Sequence, residues 1–199
     1  MEVVLDKQYP VAAGTDAAWT VLSNMHELAT CMPGAQITED IDATHYKGSV
    51  RVKVGPAVAA FAGTIEVLAI DPTNRTLKMI GKGADKGGSS ASMELTARLV
   101  PADNGHSTLE GHAEVIVNGK FAQFGGRMMT SVSDMILAQF AEVFSQKAQA
   151  MQSASAPAAA GAASAAAPAA PVVAKEFNAL GLVWALVKNF FASLFGRKA

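Results

Sequence analysis

Four histidines, one cysteine and an arginine set in an apolar run are the residues of this chain with the widest chemical scope. A metal centre or an acid–base pair needs such side chains to converge. His26 falls in a helical stretch, His45 and His106 at turns or strand edges, and His112 on the wet face of a strand beside Glu110 and Glu114. Those three could ligate a metal, but alternate residues on a wet strand face are ordinarily solvated surface. Cys31, in CMPGA, has no basic neighbour in sequence to hold a thiolate and reads as a small buried residue at a helix end. Arg127 follows Gly125 and Gly126; it either pairs outward with an acid or aims its donor fork at the polar head of a ligand. No Gly-x-Ser-x-Gly elbow, Walker loop or His-Glu-x-x-His run occurs. The glycine-rich GKGADKGGSS stands between two strands instead of opening a helix, so it reads as a flexible hairpin at a pocket mouth. Conventional catalysis is unsupported, and the chain is read as a non-enzyme.

The residues that must surround any ligand are apolar. Strand alternation turns Val52, Val54, Phe61, Ile65, Leu77, Met79, Met93, Leu95, Val115 and Val117 inward, and a closing helix offers Phe121, Phe124, Met128 and Met135. Such an interior suits a greasy ligand, and the methionines suit one of imprecise shape. Small residues (Ala57, Ala59, Ala60, Ala62, Gly63, Gly111 and Ala113) leave room on the sheet. The alternative is that these side chains simply fill a core.

The elements follow from periodicity. KGSVRVKVG alternates valines against Arg51 and Lys53, and AFAGTIEVLAI, RTLKMIGKG, ASMELTARLV and STLEGHAEVIV continue the pattern between turns at hairpin distance. TDAAWTVLSNMHELATCM is helical, capped by Thr15 or Asp16, with Trp19, Leu22, Met25 or His26, and Ala29 on one face. KFAQFGGRMMTSVSDMILAQFAEVFSQKAQAM reads as a long helix carrying Phe121, Phe124, Met128, Val132, Met135 or Ile136, Gln139 and Val143 on one stripe. The expected class is α+β: a helix-grip fold with a curved antiparallel sheet of about seven strands around a long C-terminal helix. A sheet bent around a helix leaves a hollow.

Half of the 199 residues are hydrophobic, 17% are charged and the net charge is −1. The last 25 residues carry +3, which leaves −4 for residues 1–174, so no nucleic-acid partner is expected. The single cysteine excludes an internal disulfide and fits a reducing compartment, and the N-terminus shows no secretory signal; a cytoplasmic body is expected. Three segments are read: a helix-grip domain for hydrophobic ligands over 1–151, a flexible Ala/Pro linker over 152–174, and an amphipathic anchoring helix over 175–199. As a coil the linker spans about 25–30 Å.

CMPGA, VRVKVGPAVAAFAGTIEV, KGADKGGSSASMEL and NGKFAQFGGRMM, in this order, resemble the recurring segments of the CoxG family of carbon monoxide dehydrogenase subunits, within the START-like (SRPBCC) helix-grip superfamily. The Cys-x-Pro-Gly turn, the Lys-Val-Gly-Pro hairpin and the Gly-Lys-x-Ala-Gln-x-Gly entry to the last helix are the most specific parts. The resemblance covers about residues 1–150. It implies a non-catalytic accessory of molybdenum carbon monoxide dehydrogenase or a related hydroxylase, attaching that enzyme to the membrane and binding a quinone, menaquinone or ubiquinone, in the cavity. No covalent cofactor and no metal are expected.

The tail is argued physically. On a helix, Phe177, Leu180, Val183, Trp184, Val187, Phe190, Phe191, Leu194 and Phe195 share one half, and Lys188 sits opposite. Lys188 would cost about 2.5–3.5 kcal/mol at the centre of a membrane span. The segment is instead expected to lie in the interface at the inner face of the cell membrane, with Arg197 and Lys198 toward anionic lipid. A protein groove is the alternative dock. Pocket, linker and anchor together suggest a carrier that takes a quinone from the bilayer to a dehydrogenase. A pure recruitment adaptor with a packed interior is a second reading, and an enzyme of the START-like cyclase kind a third.

Overall fold

The computed structural model describes residues 1–54 and 57–155. The chain forms β1 (Glu2–Val11), α1 (Thr15–Leu22), α2 (Met25–Cys31), β2 (Ala35–Asp40), β3 (His45–Val54), β4 (Ala57–Asp71), β5 (Thr76–Asp85), β6 (Ser90–Pro101), β7 (Ser107–Asn118) and α3 (Gly125–Ser155), with 3-10 turns at Asp103–Gly105 and Gly119–Phe124. The seven strands make one antiparallel sheet in the order β1-β7-β6-β5-β4-β3-β2. Hairpins join β2 through β7 in sequence, and β1 returns beside β7. This is the expected helix-grip arrangement: an open sheet with a long helix against its inner face. Bulges between Ile37 and Glu39 and between Val67 and Ala69 add local bend and twist to the sheet.

Local chemistry sets the ends of the elements. Gly14, not Thr15 or Asp16, is the cap of α1 and offers no side-chain bond, because Thr15 is already helical. Asn24 caps α2, its side chain accepting from the backbone amides of His26 and Glu27. This places Met25 inside and His26 outside, resolving the expected alternative.

The long helix differs from its expected form at both ends. Phe121 and Phe124 lie on the 3-10 turn, and Gly125, at φ +78°, breaks that turn from α3, so a helical projection does not extend back to them. At the other end α3 runs to Ser155, four residues into the stretch read as linker. Gln152 explains this, since its Oε1 accepts from the Gly14 amide at 2.7 Å, and Met151 packs on the core. Beyond Ser155 the expected linker and the whole 175–199 segment, with Leu180, Val183, Trp184, Val187, Phe190, Phe191, Leu194, Phe195, Arg197 and Lys198, lie outside the described residues. No helix among the described residues is long and apolar enough to cross a membrane.

Two hydrophobic clusters hold the helix to the sheet. The larger joins α1, α2 and the C-terminal half of α3 to the sheet through Leu22, Leu77, Leu99 and Phe144, the last stacked on Phe140 at a 5.8 Å ring separation. The smaller gathers Ala59, Val117, Phe121 and Val132, with Phe61 and Phe124 tilted against Phe121.

Candidate functional site

A cavity of about 440 Å³, open to solvent on one side, lies between the sheet, α2 and α3. Its walls draw on both clusters, Leu22, Met25 and Leu28 from one and Phe61, Ala91, Val115 and Ile136 from the other. The helix supplies Ser133, Ile136, Leu137 and Phe140. Its volume falls in the range of small-molecule pockets, about 300–1,000 Å³.

The hollow exists because of what the strands lack. Register places Gly48 opposite Gly63, Gly63 opposite Gly83, and Gly83 opposite Ala91, a row of four minimal residues across β3, β4, β5 and β6. Gly81 and Gly111 add to it. A Cβ on Gly111 would meet nothing within 4 Å, and one on Gly81 only the Met93 methyl at 3.9 Å. Where side chains would otherwise rise from the sheet to meet α3, the floor is bare backbone.

Of the residues expected to line the interior, Phe61, Ile65, Met79, Met93, Leu95 and Val115 come together on the cavity wall. Leu77 does not reach it, being fully buried in the larger cluster. Val52, Val117, Phe121 and Phe124 belong to the smaller cluster and close that end instead of lining the space. The side chain of Val54 lies outside the described residues. Met128 and Met135 are 38% and 54% exposed and face away from the sheet. The correction has a geometric cause. Contacts follow Val132, Ile136, Phe140, Phe144 and Ala148, a row in steps of four inclined to the helix axis, and the twisted sheet packs along that ridge. Of the small residues, Ala62, Gly63, Gly111 and Ala113 line the cavity, Ala59 is buried in the smaller cluster, Ala60 is exposed, and the Ala57 side chain lies outside the described residues.

Arg127 is exposed and does not line the cavity. The polar side chains on the wall are others, missed by sequence reasoning. Alternation in β1 turns Leu5, Lys7, Tyr9 and Val11 to the inner face. Lys7 and Tyr9 line the cavity, and the Lys7 Nζ pairs with Asp134 Oδ1 of α3 at 2.8 Å. That hydrogen bond raises the Lys7 pKa, and burial raises that of the Tyr9 phenol. Both groups therefore keep their protons at neutral pH. The alternation was visible in LDKQYPV, but nothing in it distinguished an inward lysine from a solvated one.

The glycine-rich hairpin after β5 is tied down. Asp85 accepts from the backbone amides of Gly87 and Ser89 and pairs with Lys120 at 3.2 Å, which holds its carboxyl below the usual range; the Ser89 amide is the largest cause. Gly81, Lys82 and Gly83, leading into it, do line the cavity.

The histidines stay apart. His26 pairs with Asp40, His45 with Asp42, and His112 with Asp6 at 2.6 Å on the outer face. No group of three or more His, Cys, Asp or Glu side chains among the described residues could hold a metal ion. Cys31 is buried, its Sγ directed at the Glu27 carbonyl, and burial pushes its thiol up, so it packs a helix end.

Comparison with known proteins agrees with this architecture. A conserved protein from Geobacillus kaustophilus has a similar structure at TM-score 0.65 and 19% identity, covering 75% of this chain and 96% of its own. The Zhui aromatase/cyclase from a Streptomyces species aligns at TM-score 0.56 and 15% identity over 75% and 94%. A START superfamily protein from Mycobacterium smegmatis aligns at 0.56 and 13% over 74% and 98%. At these identities the likeness concerns the fold. A search of curated protein sequences finds no match. The CoxG family of carbon monoxide dehydrogenase subunits matches residues 8–149, a span that holds every strand of the sheet but the start of β1, together with nearly all of the closing helix. This chain belongs to the CoxG family.

Proposed function

We propose that the protein is a non-catalytic accessory of a molybdenum carbon monoxide dehydrogenase or related hydroxylase, and that its cavity carries a respiratory quinone between the membrane and that enzyme. The observation that carries this reading is the deep, almost wholly apolar trough of about 440 Å³, floored by glycine and alanine. Shielding apolar surface from water is worth about 25 cal/mol per Å², so an isoprenoid ligand that leaves the bilayer needs an equally apolar enclosure. The cavity supplies one, its wall drawn almost entirely from apolar side chains and backbone. Residues 175–199 would hold the domain at the inner membrane face, and the Ala/Pro segment would set its reach.

The test is the protein's own cargo. Protein produced in cells with their membranes and quinone pool intact, then extracted with organic solvent, should yield about one quinone per chain, and native mass spectrometry should show the loaded mass. Recovery of empty chains alone, with no quinone or other lipid, would leave only the recruitment role.

A further inference from the structure

We infer that Lys7 and Tyr9 form a polar subsite at the rim of the cavity that hydrogen-bonds a neutral carbonyl oxygen on the head of an otherwise apolar ligand. The inference deepens the reading above and rests on it.

Among the described inward sheet positions that line the cavity, these two alone carry side-chain donors, and α3 adds the Ser133 hydroxyl. Gln36, Ser49, Thr64, Lys82 and Ser92 also border it, but alternation turns their side chains to the outer face, so they contribute backbone. Lys7 and Tyr9 are half-buried, two residues apart on one edge strand, and α3 packs over them. Directly across from Lys7 stands Gly111, with open space where its side chain would be. A notch thus lies beside the base of the Lys7 side chain and opens into the apolar trough. Tyr9 lines the cavity, and burial keeps the proton on its phenol, available to donate. An ammonium has three protons to donate, and the single contact to Asp134 leaves others.

The ion pair decides what kind of oxygen fits. Asp134 already balances the Lys7 charge, so an arriving carboxylate would place two anions on one cation. A neutral carbonyl accepts from Tyr9 and Lys7 without that penalty. The remainder of the ligand then runs along the glycine floor, and the head stays at the rim, where Lys7 retains 32% of its side-chain exposure.

The experiment uses the full chain and displacement of the apolar fluorophore N-phenyl-1-naphthylamine by three competitors: decylubiquinone, decylbenzene and decanoate. Tyr9→Phe and Lys7→Met keep the ring and the aliphatic stem. Each is expected to weaken decylubiquinone about 3- to 10-fold, the share of one hydrogen bond, and to leave decylbenzene unchanged. Unchanged decylbenzene binding also reports an intact fold. Equal loss for both competitors, or no loss for either, overturns the subsite while leaving the cavity reading intact. Decanoate binding more tightly than decylubiquinone to the wild type overturns the neutral head. If neither the fluorophore nor any competitor binds, the cavity reading fails and the subsite with it.

Discussion

Gly63 lies so close to Lys82 across the β4–β5 pair that a methyl group on Gly63 would stand 1.9 Å from the Lys82 carbonyl oxygen. The contact is to backbone, so no rotamer relieves it. Gly63→Ala is expected to destabilise the fold by about 1–3 kcal/mol, the range for forcing atoms into a filled space. Urea denaturation checks this, and a loss below about 0.5 kcal/mol would mean the strands slide apart freely there.

Gly111 makes the opposite case on the same floor. A Cβ there meets nothing within 4 Å, so Gly111→Val should change stability by no more than about 0.5 kcal/mol. It should nonetheless occupy ligand space. Binding of an apolar fluorophore is expected to fall about 10-fold, equivalent to about 1.4 kcal/mol. Retained affinity would place the ligand elsewhere than beside this strand.

Phe144 is fully buried and stacked on Phe140, which itself lines the cavity. Phe144→Ala should cost about 3–5 kcal/mol in thermal or denaturant unfolding. The same change should loosen Phe140 and lower ligand affinity, linking the core to the site.

His112 and Asp6 offer a pH-dependent pair on the outer face. The Asp6 hydrogen bond raises the His112 pKa above its ordinary 6.5, with a smaller contribution from Glu114. A raised folded pKa stabilises the protein in full below the unfolded value and loses that stabilisation as pH rises through the folded value. Stability should therefore decline slightly from about pH 6.5 upward on account of this pair. NMR titration of the His112 ring protons should give a midpoint above 6.5, returning toward 6.5 in Asp6→Asn. A midpoint unchanged by that substitution would show that the pair does not persist in solution.

The tail is tested by removal. Deleting residues 175–199 should release the protein from membranes in a flotation assay and leave the melting temperature of the domain unchanged. Continued membrane association would assign the attachment to another part of the chain.

Much of the fold was legible in the sequence because its signals are local. Alternating Val50, Val52 and Val54, turns such as Asp71-Pro72-Thr73-Asn74 and the capping Asn24 each act within a few residues. The antiparallel sheet and long closing helix follow from their order, and six apolar wall residues follow from strand parity. The helix face was misread at Met135 because a straight stripe and a ridge in steps of four diverge slowly along the axis. Only contact with a twisted sheet selects between them.

Residue order was enough to establish that the interior is mostly apolar and that the strands alternate. It took the assembled sheet and helix to align Gly48, Gly63 and Gly83 into one floor and to bring Lys7 of the first strand against Asp134 of the last helix. Register is the cause. Which residues stand opposite one another across strands far apart in the chain depends on hairpin lengths and bulges summed over the whole sheet, and no short stretch encodes that sum.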